Sequence, residues 1–299
     1  MTTSHPNQRD PSTLPVELRR PTVPPQVRDW VARSTGSAVI RVRRLAGASS
    51  TAVHRVDLAD GGRFVLRRYV WPGFLEDEPV APQRELEALQ FAVRHQVAAP
   101  EVVAADVDGS AVGDGIPVLL MTLLPGRAVA VPDLTRLAEV AATIHEVSAD
   151  DFGHDYFPWF EGTMSAPPRT TSRPKLWLRA QEIWHDQIPA YQASFIHRDF
   201  HPGNVLWSRG HATGVVDWAN ACRGPWGCDI AHCRTNLIDL DSAATADRFL
   251  AAYESLTGRT YDPYWEIAAV LEQSPSGPDR AGLPVDELRL ERAVSAVTP

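Results

Sequence analysis

Residues 195–218 read FIHRDFHPGNVLWSRGHATGVVDW and hold an unusual density of groups that bind protons and metal ions. Asp199 is followed five residues later by Asn204, and Asp217 lies thirteen residues beyond Asn204. Two short apolar runs between them predict a hairpin of two strands. The predicted strands cover residues 204–207 and 214–216, and the polar turn covers 208–211.

Such a hairpin carries Asn204 at its start and Asp217 at its end, so we expect both side chains to face Asp199. Two carboxylates and an amide oxygen in one place repel each other unless a cation lies between them. Hard oxygen donors in this number favour Mg²⁺, which takes one or two carboxylates and completes its shell with substrate phosphates. The stretch therefore predicts a Mg²⁺ site.

The composition is that of an ordinary globular protein of 299 residues, with 44% hydrophobic side chains. No apolar run is long enough to span a membrane, and the first residues lack the apolar core of a signal peptide. The three cysteines have no disulfide-framework spacing, which favours a reducing compartment. We expect a cytoplasmic protein that does not bind membranes.

The net charge of −8 argues against nucleic acid as a partner, because that binding depends on neutralising phosphates with Lys and Arg. Acidic side chains outnumber basic ones in residues 226–299. This excess either favours a cationic small molecule or belongs to a solvated acidic helical surface. The sequence leaves both readings open.

Hydrophobic periodicity predicts an α+β protein in three parts. We expect residues 1–36 to contain a Pro-rich tail followed by a short helix. The tail, up to residue 25, should be disordered or loosely docked. Residues 37–124 should form five strands and one long helix. The Pro-Gly pair at 125–126 breaks this pattern, and residues 125–299 should be mainly helical. The predicted strands are 38–45, 52–58, 63–70, 101–106 and 117–124, and the predicted helices are 26–34, 82–96, 134–147, 174–188, 229–240, 243–256, 263–272 and 285–296.

The order His197-Arg-Asp199, four residues and then Asn204 matches the spacing of the protein-kinase catalytic loop. In that loop the aspartate accepts the proton of the substrate hydroxyl and the asparagine binds Mg²⁺. A metal-binding aspartate follows at the end of a short hairpin, which is the place of Asp217. Phosphoryl transfer needs this set because its barrier falls mainly through positioning and charge neutralisation.

The motifs His201-Pro-Gly-Asn204 and Val216-Asp-Trp218 resemble the aminoglycoside phosphotransferase / choline kinase family of small-molecule kinases. A protein kinase would have Asp-Phe-Gly where this chain has Asp217-Trp-Ala219. The resemblance covers residues 37–240 and includes a helix segment at 84–89, a hinge at 121–126, the helix after it at 137–145 and a bracing aspartate, Asp229. It implies a bilobal, protein-kinase-like fold, with a five-stranded antiparallel sheet in the small N-terminal lobe.

The resemblance also implies a role for each matching residue. Asp199 would be the base or the orienting carboxylate, while Asn204 and Asp217 would hold Mg²⁺. ATP or GTP would bind to the first lobe, with its adenine flanked by the hinge and its phosphates covered by a loop of small residues. The residues concerned are Met121, Thr122 and Leu123 in the hinge, and Ala48, Ser49, Ser50 and Thr51 in the loop.

One departure from the family is the absence of a strand lysine in the first lobe, because the only lysine in the chain is Lys175. The family's lysine holds the nucleotide phosphates and pairs with a helix glutamate. By position its substitute is Arg67, and the expected partner is Glu85. Arginine also binds phosphate, but its planar fork does not reproduce the geometry of lysine. The alternative is therefore a non-catalytic, pseudokinase-like module that binds a nucleotide or metabolite.

Three other features have both a functional and a structural interpretation. His197 and His201 are expected to brace the loop backbone rather than to act as bases. The cysteines Cys222, Cys228 and Cys233, with His232, have spacings that do not match common zinc sites, which favours buried thiols. The aromatic segment 155–160 either stacks on a substrate ring or packs as core or lid.

The sequence thus predicts a phosphotransferase that moves the γ-phosphate of ATP or GTP to a hydroxyl of a small molecule. An aminoglycoside-like or other cationic compound is one candidate acceptor. Macrolides, choline-like amines, amino acids and housekeeping sugars are others. A monomer and a homodimer are both compatible with the sequence.

Overall fold

The structure is a computed structural model that describes residues 16–47, 50–159, 167–186, 188–273 and 283–297. The chain divides into two compact units. Unit 1 consists of Met1–Arg127 and Leu206–Ala221, and unit 2 consists of Ala128–Val205 and Cys222–Pro299. The hairpin region after Val205 thus groups with the N-terminal residues in unit 1.

Unit 1 is built on a five-stranded sheet with the order β1-β2-β3-β5-β4. All four pairings are antiparallel, which confirms the predicted sheet. Alternate residues of the second strand are buried, which places one face of this strand on the core, whereas consecutive residues of the fifth strand are buried on both faces. The strands are β1 Val39–Arg44, β2 Ala52–Leu58, β3 Arg63–Arg68, β4 Val102–Asp106 and β5 Val118–Thr122.

The helices of unit 1 are α1 Pro25–Thr35, α2 Pro72–Asp77 and α3 Ala81–Arg94. Helix α2 was not predicted, because its six residues are too short to show a periodicity. Helix α3 is the predicted long helix, and one of its faces is buried, including Ala88, Leu89 and Phe91.

The prediction of a loose tail up to residue 25 is wrong for residues 16–25. Val16–Arg19 forms a 3₁₀-helix whose Leu18 is buried against Ala52 and Val70. Val23 is buried in the same cluster as Val27 of α1. The tail docks because these few apolar side chains cover the sheet, although the surrounding composition is polar and Pro-rich. The predicted tail before residue 16 lies outside the described residues.

The predicted hairpin is formed by β8 Val205–Ser208 and β9 His211–Val215, with the two-residue strand β6 Arg127–Ala128 beside β8. Its turn is shorter than predicted, because only Arg209 and Gly210 lie between the strands. Both have positive φ, 51° and 79°, as the mirror-image turns of tight hairpins require.

The Pro-Gly break before the hairpin has a steric reason. Gly126 has φ 101°, and a Cβ there would lie 2.3 Å from the backbone oxygen of Trp207. Only glycine allows the two backbones to approach this closely.

Unit 2 is mainly helical, and the predicted helices are present with shifts of a few residues at their ends. Its core joins side chains of four helices, among them Trp177, Ile267 and Leu290. A two-stranded antiparallel sheet, β7 with β10, was not predicted because each strand has only three residues. The elements are α4 Leu134–His145, α5 Pro174–Asp186, β7 Ser194–Ile196, β10 Cys222–Gly224, α6 Trp226–Leu240, α7 Ala243–Thr257, α8 Tyr264–Gln273 and α9 Leu283–Val297.

Among the described residues, the helices are all too short or too polar to cross a lipid bilayer.

Candidate functional site

An arginine of unit 1 lies between two carboxylates that are distant in sequence. Arg67 in β3 donates from Nη1 to Oε1 of Glu85 in α3 at 3.0 Å. Its Nη2 donates to Oδ1 of Asp217, just after β9, at 2.5 Å. The hydroxyl of Tyr69 donates to the second carboxylate oxygen of Glu85. Unit 1 thus brings together three predicted site residues, including the expected pair of Arg67 and Glu85.

The charges of this cluster compensate one another in a buried setting. Burial lowers the pKa of Arg67, but the carboxylates of Asp217 and Glu85 more than offset this, so its pKa lies above the usual value. Burial raises the pKa of Glu85, and the guanidinium of Arg67 opposes that shift. The Asp217 side chain is 32% exposed, whereas that of Glu85 is 1% exposed. Asp217 is therefore the carboxylate of the cluster that solvent and ligands reach.

The backbone around Asp217 is held in a conformation that is rare for a residue with a side chain. Asp217 has φ 70°, in the left-handed region. Trp218 donates from its indole to the Val215 oxygen at 2.8 Å, and the Nε of Arg84 donates to the Ala219 oxygen at 2.5 Å. Such conformations persist where neighbouring bonds fix them, and they are frequent at functional sites.

The neighbouring Arg68 has a different environment, because successive side chains of a strand point to opposite faces. Its Nη2 donates to Asp114 at 2.5 Å. Burial lowers the pKa of Arg68, and Asp114 only partly offsets that effect. Of the two arginines, Arg67 is thus the one next to predicted site residues.

In unit 2 the predicted catalytic loop follows β7 and carries the second group of site residues. The side-chain amide of Asn204 donates to the backbone oxygen of Asp199 at 2.9 Å and to its Oδ2 at 3.2 Å. The other carboxylate oxygen, Oδ1, lies 2.9 Å from Nε2 of His232 in α6. Both oxygens of Asp199 therefore have a donor, and its side chain is still 26% exposed.

These donors decide the protonation state of Asp199. Burial alone would raise its pKa, but the hydrogen bond from His232 and the nearby imidazoles hold the pKa well below its usual range. The carboxylate is consequently ionised at neutral pH. A carboxylate has about four lone-pair sites, so Asp199 can still accept a further hydrogen bond.

The two histidines of the loop brace its backbone, as predicted. Nδ1 of His197 accepts from the backbone N–H of Asp199 at 3.3 Å. Nδ1 of His201 accepts from the N–H of Gly203 at 3.1 Å and caps the short 3₁₀-helix Pro202–Asn204.

Asp229 fixes the start of the loop from inside unit 2. Its carboxylate accepts from the backbone N–H groups of His197 at 2.8 Å and Arg198 at 2.6 Å, and from Nε2 of His145 at 3.1 Å. Burial would raise its pKa, but the bonds with His145 and the loop keep the pKa below the usual value. Arg198 has φ 67°, so Asp229 stabilises a left-handed residue directly before Asp199.

The Arg198 side chain does not bond the adjacent Asp199. Its guanidinium pairs with Glu272 at 3.1 Å and lies 4.0 Å from the ring centre of Trp159 and 4.9 Å from that of Tyr156. The predicted aromatic segment thus contacts this arginine, while Phe160 lies outside the described residues. A narrow pocket with a cavity volume of about 10 Å³, room for about one water molecule, opens beside these groups. Its lining residues are Trp159, Arg198, Cys228, Ala231, His232, Trp265, Ala268, Ala269 and Glu272.

Mg²⁺ suits the donors that the two predicted ligands present. The Asn204 amide nitrogen is turned to Asp199, which leaves the amide oxygen for a cation. Asp217 offers a partly exposed carboxylate, although Arg67 already bonds its Oδ1. Hard oxygens of this kind are the ligands that Mg²⁺ prefers.

Asp199, His201 and His232 also bring three possible ligand atoms within 4.8 Å of one another. However, a neutral His201 that accepts through Nδ1 carries its proton on Nε2, which is the nitrogen 4.0 Å from Asp199. Binding a metal there would break the loop's own hydrogen bond, so this trio is not a ready transition-metal site. Cys222, Cys228 and Cys233 are buried free thiols, as predicted.

The remaining predicted nucleotide contacts are located in unit 1. Ala48 and Ser49 lie outside the described residues. Ser50 and Thr51 lie just before β2, and Thr51 is buried, with no hydrogen-bond partner for its hydroxyl among the described residues. Met121 and Thr122 end β5, and Leu123 follows them. Thr122 accepts the N–H of Glu101 at 2.9 Å, so its hydroxyl contributes to the fold.

The contact between His232 and Asp199 is not among the predictions from the sequence, in which His232 appears only as a possible zinc ligand beside the cysteines. A helical signal was present, because His232 lies three residues after Asp229, and residues three apart share a helix face. A helix that braces the loop with Asp229 therefore also presents His232 to that loop.

Comparisons with known proteins identify the family and the fold of the chain. The model of the phosphotransferase enzyme family matches residues 41–267. No curated protein matches the chain. Among solved structures, a macrolide 2′-phosphotransferase, MphH from Brachybacterium faecium, has a TM-score of 0.57 at 21% identity, covering 91% of this chain and 98% of that one.

An aminoglycoside phosphotransferase, a thermostable mutant of APH(4)-Ia, was solved in a ternary complex with AMP-PNP and hygromycin B. It has a TM-score of 0.62 at 16% identity and covers 91% of this chain and 99% of its own. The type VIII aminoglycoside-3′-phosphotransferase has a TM-score of 0.57 at 19% identity, over 78% and 93% of the two chains. These likenesses show the fold, and the matching model spans most of the chain. The protein therefore belongs to the phosphotransferase enzyme family.

Proposed function

We propose that the protein transfers the γ-phosphate of ATP or GTP to a hydroxyl group of a small molecule. In this proposal Asp199 accepts the proton of the hydroxyl, and Asn204 and Asp217 hold Mg²⁺. Arg67 contacts the nucleotide phosphates. The family membership supports the phosphotransfer, and the residue roles rest on the geometry of each unit.

The observation that carries the proposal is the state of Asp199. It is ionised, bonded at both oxygens and still 26% exposed. A general base must hold its geometry before it can accept a proton efficiently from a bound hydroxyl. Asp229, which braces the loop in the same unit, is by contrast fully enclosed.

The metal and the arginine would act on the phosphates. When bound, Mg²⁺ supplies neutralisation of the phosphate charge that develops during transfer. Arg67 uses two of the five N–H donors of its guanidinium on Glu85 and Asp217. The remaining donors leave it able to bind a phosphate oxygen while the ion pairs hold the side chain in place.

Our candidate for the acceptor site is the surface around the pocket beside Arg198, because the pocket itself has room only for about one water molecule. The pocket is lined by two indole rings, Trp159 and Trp265, and by the carboxylate of Glu272. The guanidinium of Arg198 pairs with Glu272 and lies over the Trp159 ring, and Trp265 is buried, so the protein's own side chains already occupy these groups.

The first test is release of ADP or GDP by the purified protein with Mg²⁺ and a panel of aminoglycosides, macrolides, amino alcohols and sugars. We expect turnover with at least one hydroxyl compound. Asp199→Asn should lower kcat about 1,000-fold, because it removes the base. The control, Asp186→Asn, replaces an exposed aspartate at the end of α5 and should leave kcat unchanged. Equal kcat in wild type and Asp199→Asn would overturn the assigned role.

A second candidate function is non-catalytic binding of a nucleotide or metabolite. The observation that favours it is the engagement of Arg67 by two carboxylates, one of which is the proposed metal ligand Asp217. Calorimetric titration with ATP and GTP separates the two functions. Binding that is independent of Mg²⁺, with no turnover across the panel, would support the non-catalytic module.

A further inference from the structure

We propose that His232 is a positioning residue for the transfer reaction, which it serves by fixing the carboxylate of Asp199. This inference rests on the proposed function of Asp199 as the base. Nε2 of His232 lies 2.9 Å from Oδ1, while Asn204 occupies the side of Oδ2. Together the two donors set the rotation of the carboxylate about its own axis.

Helix α6 holds the loop at two points through side chains that are three residues apart. Asp229 accepts from the backbone N–H groups of His197 and Arg198, and His232 bonds the side chain of Asp199. The loop backbone and the Asp199 carboxylate are therefore both positioned by one helix. Sites are most accurate when regular elements rather than loops position the reacting groups.

The ring of His232 is itself held by neighbours. It meets the ring of Trp159 edge-on, with centroids 5.4 Å apart and an interplanar angle of 85°. The ring of His201 lies 5.7 Å away on the loop. The side chain is 12% exposed and lines the pocket beside Arg198. His232 therefore contacts both the proposed base and the groups around this pocket.

The chemistry explains why a histidine suits this position. An imidazole N–H donates one directed hydrogen bond without the permanent charge of a guanidinium, whereas Arg198 would neutralise the carboxylate if it bonded Asp199. The arginine is instead committed to Glu272. A base that is oriented by such a donor keeps its charge available for the proton of the acceptor hydroxyl.

The test compares His232→Phe with His232→Gln. Phenylalanine keeps a ring against Trp159 but has no N–H, whereas the amide of glutamine reaches the place of Nε2 and restores a donor. We expect His232→Phe to lower kcat about 30-fold with the nucleotide KM unchanged, since a misplacement of about 1 Å costs up to ~100-fold. His232→Gln should recover kcat to within about 5-fold of wild type.

Two controls separate positioning from folding. His185→Phe, at an exposed position in α5, should leave kcat unchanged. The Tm of each variant should stay close to that of wild type, so that a change of kcat reports the folded enzyme. If His232→Phe loses its fold, His232→Gln and His232→Leu replace it as the pair with and without a donor.

The outcomes distinguish this inference from the function on which it rests. A folded His232→Phe variant with wild-type kcat, in a chain that turns over its acceptor, would overturn the inference alone. Equal losses in the Phe and Gln variants would also overturn it, because the donor would then be irrelevant. A wild-type chain without turnover on any hydroxyl compound would instead overturn the proposed function.

Discussion

Asp217 in unit 1 and Asp199 in unit 2 are both partly exposed carboxylates, yet their bonding partners differ in kind. Asp217 is bonded by the guanidinium of Arg67. Asp199 is bonded by an amide and an imidazole, from Asn204 and His232. A guanidinium carries a permanent charge that balances a carboxylate, whereas amide and imidazole donors orient a carboxylate without requiring such a charge.

The difference indicates how two aspartates of one chain can have different functions. A carboxylate next to a fixed cation is suited to a site where a metal ion and phosphates bind, because the carboxylate and the cation can each pair with a ligand of opposite charge. A carboxylate held by directed donors is suited to proton transfer, where orientation matters and its charge must stay available. The contrast predicts separate responses when each residue is changed.

The largest effect expected from a change in unit 1 comes from Asp217→Asn. We expect kcat/KM to fall about 100-fold at limiting Mg²⁺, because removing a metal ligand weakens the charge neutralisation on which phosphoryl transfer depends. Raising the Mg²⁺ concentration should restore part of the activity. Steady-state kinetics as a function of Mg²⁺ measures both effects.

Asp199→Asn is the matched partner in that experiment, because its loss should not recover with added Mg²⁺. If both variants recover to the same degree, the two carboxylates share one role and the contrast fails.

The next effect concerns the cation of unit 1. Arg67→Ala should raise the nucleotide KM about 30-fold, because one hydrogen bond to a charged group is worth about 2 kcal/mol. Arg68→Ala, which removes the neighbouring arginine paired with Asp114, should raise it less than about 3-fold. Initial rates at varied ATP and GTP give both values.

Arg67→Lys serves as the second variant, because Arg67→Ala leaves Glu85 buried without a cation and is expected to lower the Tm. The lysine variant should retain the nucleotide KM to within about 5-fold. Equal effects of the Arg67→Ala and Arg68→Ala changes would show that Arg67 is not the phosphate contact.

The sequence predicted those contacts of Asp199 and Arg67 that are local in the chain or belong to a motif. The spacing of Asp199 and Asn204 predicted their meeting, because five residues of loop bring the amide back to the carboxylate. The sheet and the long helices followed from periodicity. Arg67 and Glu85 were paired by resemblance, and the ion pair between them is present.

The long-range partners were not predictable in the same way. Arg67 and Asp217 are 150 residues apart, and no local pattern states that a guanidinium bonds the proposed metal ligand. His232 contacts Asp199 because α6 packs against the loop, which depends on the tertiary arrangement of unit 2. The docking of Leu18 was missed for the same reason, since a single buried side chain does not alter the polar character of a tail.

The smallest effect on catalysis is expected from a buried ion cluster that resembles the one around Arg67 but lies in the helical core of unit 2. Glu266 in α8 is bonded by Arg234 of α6 at 3.0 Å and Arg289 of α9 at 2.8 Å. Burial would raise its pKa, but the two arginines lower it to about 2. All three side chains are nearly enclosed, so we expect this cluster to serve stability rather than catalysis.

Glu266→Gln should therefore leave kcat within about 2-fold of wild type while lowering the free energy of unfolding by about 3 kcal/mol at pH 7. Because the folded pKa lies below the unfolded value near 4.5, the contribution of Glu266 is fully present above pH 4.5 and is lost as the pH falls toward 2. The difference between wild type and variant should shrink by about half or more between pH 6 and pH 3. Urea unfolding at several pH values measures it.

Glu139→Gln, at an exposed position of α4, is the control and should change the free energy of unfolding by less than about 0.5 kcal/mol at every pH. A Glu266→Gln penalty that stays constant from pH 6 to pH 3 would mean that packing, rather than the ionised carboxylate, accounts for the loss. A large fall in kcat in a folded Glu266→Gln variant would break the comparison more deeply. It would show that a nearly enclosed arginine–carboxylate cluster also takes part in the reaction. Exposure, which distinguishes Asp217 from Glu266, would then not distinguish functional from structural carboxylates.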